Sequence, residues 1–207
     1  MLAGMRPRDL VGLVGLAVLG AALWWRKHPS ACPYGQRFWV EAPHPFITRE
    51  RLREALEPEA GERMLEVGPG TGYYSLPAAG WLEPGGTLDV FDLQPEMLDH
   101  VMRAAGKAGV TNITPHQGDA RELPFAEASF DAAHLTTVLG EIPDQAQALR
   151  ELHRVVRPGG RLVVGELFGD PHWVAPGRLA ERAAEAGWAF DRRAGPAWGC
   201  FSRFRRP

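Results

Sequence analysis

The chain has 207 residues, 45% of them hydrophobic and 23% charged, with a formal net charge of −2. That supports one medium-sized core and excludes a largely disordered chain; 24 Gly and 18 Pro without a three-residue period exclude a collagen-like one. Two cysteines, Cys32 and Cys200, are too few for a disulfide framework or a thiolate metal site, and fit a reducing compartment.

The charge is unevenly spread. Residues 1–30 carry +3, residues 188–207 carry +4, and the stretch between them carries −9. A near-neutral total argues against a general nucleic-acid binder. Basic ends suit an anionic membrane surface.

Residues 1–27 form an N-terminal hydrophobic segment. From Leu10 to Trp25 it runs sixteen residues without a charge, just short of the roughly 17–25 that span a bilayer. Three readings fit: a membrane anchor, a buried or interfacial apolar helix, and a cleaved signal peptide. The anchor fits best, because Trp24 and Trp25 belong at headgroup level and Arg26 and Lys27 stand just beyond. Association through residues 10–25 would place the protein on the cytoplasmic face of the membrane, and otherwise in the cytoplasm. Residues 28–46 are a Pro- and aromatic-rich arm, in which Pro29, Pro33, Pro43 and Pro45 prevent a long helix. Tyr34, Phe38 and Trp39 are expected either to dock on the core or to cover a pocket.

From residue 47 to 207 strands and helices alternate. A helix is expected over 47–57, with Thr48 as N-cap, Ile47 and Leu52 as a hydrophobic staple, and Pro58 as its stop. Strand 64–67 runs into a glycine turn, followed by a short helix near 73–79. Strand 87–91 precedes a helix that opens on Pro95. Strands follow at 113–117, 131–135 and 161–165. A helix over 145–156 ends before Pro158-Gly-Gly160, another spans 176–186, and two strand-like pieces, 188–192 and 198–205, make a C-terminal hairpin. The pattern implies an α/β fold with a doubly wound, mostly parallel sheet and an antiparallel hairpin at its edge, preceded by the N-terminal apolar helix.

The chemistry-bearing motif is Glu66-Val-Gly-Pro-Gly-Thr-Gly72. Gly68, Gly70 and Gly72 let the backbone turn sharply and approach a ligand at the carboxyl end of the strand. The dinucleotide fingerprint would need glycine at 73, where Tyr73 stands. Glu66 would repel a pyrophosphate but not an amino group. Asp92, twenty residues past Gly72 at the end of the second strand, suits the two hydroxyls of a ribose. No Lys or Arg follows the glycines, so the expected ligand is a positively charged nucleoside without phosphate.

These residues, with Gly118-Asp-Ala120, Leu123-Pro-Phe125, Ser129-Phe-Asp131, Leu149-Arg-Glu-Leu152 and Arg157-Pro-Gly-Gly160, resemble the class I S-adenosylmethionine-dependent methyltransferases. The small-molecule branch that includes the ubiquinone/menaquinone methyltransferases is the most similar. The resemblance covers about 47–205 and implies a Rossmann-like methyltransferase domain with S-adenosyl-L-methionine as cofactor. It implies that Glu66, Gly68, Gly70 and Gly72 hold the methionine moiety and that Asp92 takes the ribose. Leu93 would pack on the adenine, and Asp119 and Ala120 would bond the adenine edge. Thr136 would lie near the sulfonium. The acceptor implied is a small, lipophilic molecule; a non-catalytic protein that holds the cofactor or a partner is the alternative. His44, His134 and Glu141 are candidate bases. The Asn-Pro-Pro-aromatic motif of amide and exocyclic-amine methylases is absent at Leu135-Thr-Thr-Val138, which argues against nucleic acid as substrate. No acidic or histidine cluster has metal spacing, so no metal is expected.

Overall fold

The structure is a computed structural model that describes Gly20, residues 29–38 and residues 44–207. The apolar run at 10–25, apart from Gly20, lies outside the described residues, as do Trp39 and Pro43 of the arm. Among the described residues no helix is long and apolar enough to cross a membrane.

After a 3-10 turn at Tyr34–Gln36 come α1 (Arg49–Leu56), β1 (Arg63–Val67), α2 (Ser75–Trp81), β2 (Thr87–Asp92), α3 (Pro95–Ala108), β3 (Ile113–Gln117) and β4 (Phe130–Thr136). A second 3-10 turn at Leu139–Glu141 leads into α4 (Gln145–Val155), β5 (Val156–Leu167), α5 (Pro176–Glu185), β6 (Ala189–Ala194) and β7 (Gly199–Arg205). The seven strands form one sheet in the order β3-β2-β1-β4-β5-β7-β6. The first five are parallel, and β7 runs antiparallel to both β5 and β6. The strand order reverses between β1 and β4, so a crevice opens at their carboxyl ends, where ligands bind in such sheets.

Local chemistry sets the elements. Thr48 Oγ1 accepts the Arg51 N–H at 3.3 Å, and Ile47 and Leu52, both fully buried, staple the entry of α1. Asp144 caps α4 by accepting the Gln147 N–H at 2.9 Å. Two apolar layers cover the sheet. Leu65, Leu135, Leu149, Leu162 and Phe204 belong to one; Leu52, Met64, Val90, Val163 and Phe201 belong to the other.

One expectation changes. The Pro158-Gly-Gly160 segment is not a turn between helix and strand. β5 begins at Val156 and carries these residues as a bulge, with the register jumping from Phe130↔Val156 to Ala132↔Arg161. The bulge is held by the tail, since Gly159 N–H reaches Arg206 O at 2.8 Å and Arg206 N–H reaches Gly160 O at 3.0 Å.

Past the bulge, Arg161 is 8% exposed and forked onto Glu62, with Nη1–Oε1 at 2.7 Å and Nη2–Oε2 at 2.5 Å. Its Nε and Nη2 also donate to the carbonyls of Leu56 and Glu57, so one guanidinium closes the end of α1 onto β5. Removing it strands a buried carboxylate. Arg161→Ala is expected to lower unfolding free energy by about 3–5 kcal/mol in denaturant titration, with Glu62→Ala costing a similar amount.

Candidate functional site

At the carboxyl edge a cavity of about 340 Å³ is walled by the ends of β1, β2 and β4, the loop after β3 and the arm. The glycine loop leaves β1 at Gly68, whose φ is +68° and whose N–H donates to Phe91 O at 2.8 Å. A Cβ at Gly68 would collide with the Val138 side chain, so both backbone angle and space demand glycine there. Gly68, Gly70, Asp92, Leu93, Asp119, Ala120 and Thr136 all line the cavity. Residues spread over 69 positions of sequence thus meet around one cavity.

Glu66 and Gly72 stand behind that lining. Glu66 is 2% exposed, and its Oε2 has no hydrogen-bond partner among the described residues. Burial pushes its pKa up to about 7; Asp92 adds to the rise and the nearby Ser75 hydroxyl opposes it. Asp92 is buried and pushed up to about 6 by desolvation, against the pull of the Gln94 and Leu93 backbone groups. Its Oδ1 accepts the Gln94 N–H at 2.8 Å. Two desolvated acids beside a nucleoside-sized cavity fit S-adenosylmethionine, with Glu66 suited to its ammonium group and Asp92 to its ribose.

Asp119 is differently placed. Arg121 grips both its oxygens, Nε–Oδ1 at 3.0 Å and Nη2–Oδ2 at 2.6 Å, and holds the carboxyl below its usual range. Arg121 also lines the cavity, beside the expected adenine edge. Thr136 Oγ1 is buried without a partner among the described residues, and Thr137 adopts φ +56°, a strained angle for a β-branched residue next to a site.

The three candidate bases separate. Glu141 lines the cavity, and burial, helped by Asp170 and Asp92, raises its carboxyl to about 8. His134 is fully buried in β4, paired in register with Glu66 but outside the cavity lining. Both its ring nitrogens lack partners among the described residues, and desolvation pushes its pKa down to about 3, so the ring is neutral. His44 also lies outside the lining, packed edge-on to Tyr73 with ring centroids 5.6 Å apart.

Sequence reasoning missed the clamp on the arm. Pro29 to Cys32 line the cavity, while Tyr34 takes the docking role, one of the two expectations for the arm aromatics. Gln94 donates from Nε2 to Cys32 O at 2.9 Å and accepts the Tyr34 N–H at Oε1 at 3.0 Å. Glu141 Oε2 accepts the Cys32 N–H at 3.2 Å. Tyr34 lies outside the lining, its hydroxyl 3.3 Å from His100 Nδ1, and Phe38 is exposed. A lone glutamine before Pro95 carries no signal of this in sequence.

Comparison with known proteins agrees with this geometry. Residues 65–164 match the family model described as a methyltransferase domain. A demethylmenaquinone methyltransferase from Corynebacterium efficiens is 38% identical over 125 residues, 60% of this chain and 50% of that protein. An O-methyltransferase from Aspergillus nomiae is 35% identical over 142 residues, covering 68% of this chain and 62% of its own length. The chain spans about half the length of the curated relatives it matches. In fold, an Aquifex aeolicus SAM-dependent methyltransferase aligns with a TM-score of 0.78 at 17% identity, over 86% of this chain and all of that one. A [4+2]-cyclase aligns with a TM-score of 0.67 at 20% identity, over 77% and 79%. Family model, relatives and fold together support a class I S-adenosylmethionine-dependent methyltransferase.

Two outcomes follow from the site. Asp92→Ala is expected to weaken S-adenosylmethionine binding by about ten- to a hundredfold in calorimetry, the loss of one or two hydrogen bonds to a charged group, without lowering the melting temperature. The raised pKa values of Glu66, Asp92, Glu141 and Glu166 also link stability to pH. Each contributes stability that is complete below its unfolded value and lost as pH climbs through the folded one. Thermal melts of the free protein should therefore fall between about pH 5 and pH 8.5, and a melting temperature that rises across that window would contradict the burial of these acids.

Proposed function

We propose that the protein transfers the methyl group of S-adenosylmethionine to a small, lipophilic acceptor. The observation that carries the reading is the convergence of Gly68, Gly70, Asp92, Leu93, Asp119, Ala120 and Thr136 on one cavity, with the buried carboxyl of Glu66 behind it. When bound, the cofactor supplies an electrophilic methyl group on a sulfonium. The chain's part is to position, desolvate and discharge. Glu66 and Asp92 hold negative charge out of water, where it favours a cation. Pro29 to Cys32 add one side of the cavity wall.

Glu141 is the group we assign to proton transfer. It reaches the cavity, whereas His44 and His134 do not. A carboxyl raised to about 8 is matched to taking a proton from a hydroxyl or an acidic carbon near neutral pH. The small-molecule acceptor is supported by the names of the relatives, a demethylmenaquinone methyltransferase and an O-methyltransferase among them. The lipophilic character is supported by the apolar run at 10–25, which we read as an anchor on the cytoplasmic face of the membrane.

Incubating the full chain with isotope-labelled S-adenosylmethionine and fractionated membrane lipids tests this. Mass spectrometry should find label in one apolar fraction. Glu141→Gln should cut the turnover rate by about a hundredfold or more while shifting the acceptor KM far less. Tight cofactor binding with no transfer to any fraction would favour the non-catalytic role instead.

A further inference from the structure

Among the described residues, six large apolar side chains are exposed, and three of them lie along one edge: Phe46 at 40%, Phe168 at 65% and Trp198 at 56%. They belong to segments far apart in sequence but joined by contact. Phe168 N–H donates to Trp198 O at 2.7 Å, and the Phe168 ring stands edge-on to Trp173 with centroids 5.2 Å apart. Phe46 packs so tightly beside Gly199 that a Cβ there would collide with it. Phe168 and Trp198 are neighbours across the β5–β7 ladder and Phe46 flanks it on the Gly199 side, so all three lie at the carboxyl end of β5 and the start of β7, the same edge of the sheet that holds the cofactor cavity. Exposed aromatic patches with a polar surround mark interaction surfaces.

The chain itself indicates what covers it. Pro29 lines both the cofactor cavity and a second cavity of about 580 Å³ that Trp173 also lines, so the arm passes beside the patch. The apolar run ends at Trp25, four residues earlier, and four residues of extended chain reach at most about 14 Å. If that run sits in a bilayer, the lipid surface stands within that reach of the edge. The run is a poor cover, because its sixteen uncharged residues carry far more apolar surface than three aromatic side chains can shield. Charge agrees with an anionic surface. Arg26 and Lys27 follow the run, and Arg51, whose Nη1 donates to Phe46 O at 2.5 Å, stands at the patch.

We propose that this edge, led by Phe46, Phe168 and Trp198, lies on an anionic lipid bilayer, so that the cofactor cavity opens towards the lipid. The proposal rests on the reading of residues 10–25 as an anchor and specifies how the domain is turned upon it. Aromatic side chains at headgroup depth and arginines among the phosphates would then fix the orientation. An apolar acceptor would reach the cavity without crossing water.

The test uses the full chain and vesicles of phosphatidylcholine and phosphatidylglycerol. Leu13→Arg with Leu16→Arg disables the run and leaves the patch to act alone. This variant should still bind the vesicles, weakly and with salt sensitivity, well below the unmodified chain. Adding Phe168→Ser and Trp198→Ser should weaken that binding at least tenfold further. Vesicle affinity untouched by the two serines, no binding once the run is disabled, or equal binding with and without the run would each overturn the proposal. So would a lipid-free dimer that the two serines dissolve. Calorimetry with S-adenosylmethionine on every variant keeps the outcomes separate: unchanged cofactor binding shows a folded domain, whereas no cofactor binding by the unmodified chain would refute the methyltransferase reading alone.

Discussion

Negative charge held out of water, with no cation among the described residues to meet it, is the constraint around which the site is built. Glu66 is closed in behind the glycine loop with one oxygen unpaired, and Asp92 is buried at the end of β2. Their pKa values of about 7 and about 6 mean that ionising each in place costs on the order of 3 kcal/mol. A fold tolerates that only when the cost is recovered, and a ligand bearing an ammonium and a sulfonium recovers it. The sheet order serves this arrangement. Placing β1 and β2 side by side, with the reversal at β4, brings two acid-ending strands to one crevice.

The structural acids behave in the opposite way. Glu62 meets Arg161, Asp89 meets Arg63 and His116, and Glu57 meets Arg192 and Arg203. Glu57 is driven down to about 2 by those two guanidiniums. Across one acidic middle region, then, the carboxylates divide into those given a countercharge by the chain and those left without one. Within the second group, Asp92 and Glu141 line the cavity, and Glu66 lies in β1 beside the strand that carries Asp92. Glu141 belongs there and has a second duty, since the same carboxylate that walls the cavity holds the Cys32 N–H of the arm. Gln94 does likewise through Cys32 O, so the arm and the cofactor wall share their supports.

Much of this was legible in the sequence because it depends on near neighbours along the chain. The Thr48 cap, the Pro95 start and the glycine loop are local signals, and every strand except β5, which starts earlier, was placed to within two residues of where it lies. The hairpin was legible from two apolar pieces around Gly195-Pro196. What escaped depended on partners far away. The Pro158-Gly-Gly160 bulge is held in the sheet by Arg206, nearly fifty residues on, and nothing local distinguishes it from a turn. Arg161 looks like a surface arginine until Glu62 and the end of α1 are brought to it. In the site, the glycines and acids announce themselves by type and spacing, whereas Gln94 has no distinctive neighbours. His134 was indistinguishable from a base in sequence; the alternation of β4 turns it into the layer beneath α1 rather than into the cavity.

The central claim is that uncompensated, desolvated carboxylates recognise a cationic nucleoside, and proton linkage reports on it directly. Calorimetric titration of the full chain with S-adenosylmethionine near pH 6.5, repeated in buffers of different ionisation enthalpy, counts the protons exchanged on binding. Glu66 and Asp92 are partly protonated at that pH before the ligand arrives, so binding should release protons, and Asp92→Ala should release fewer. Binding with no proton release, or with net uptake, would contradict the account.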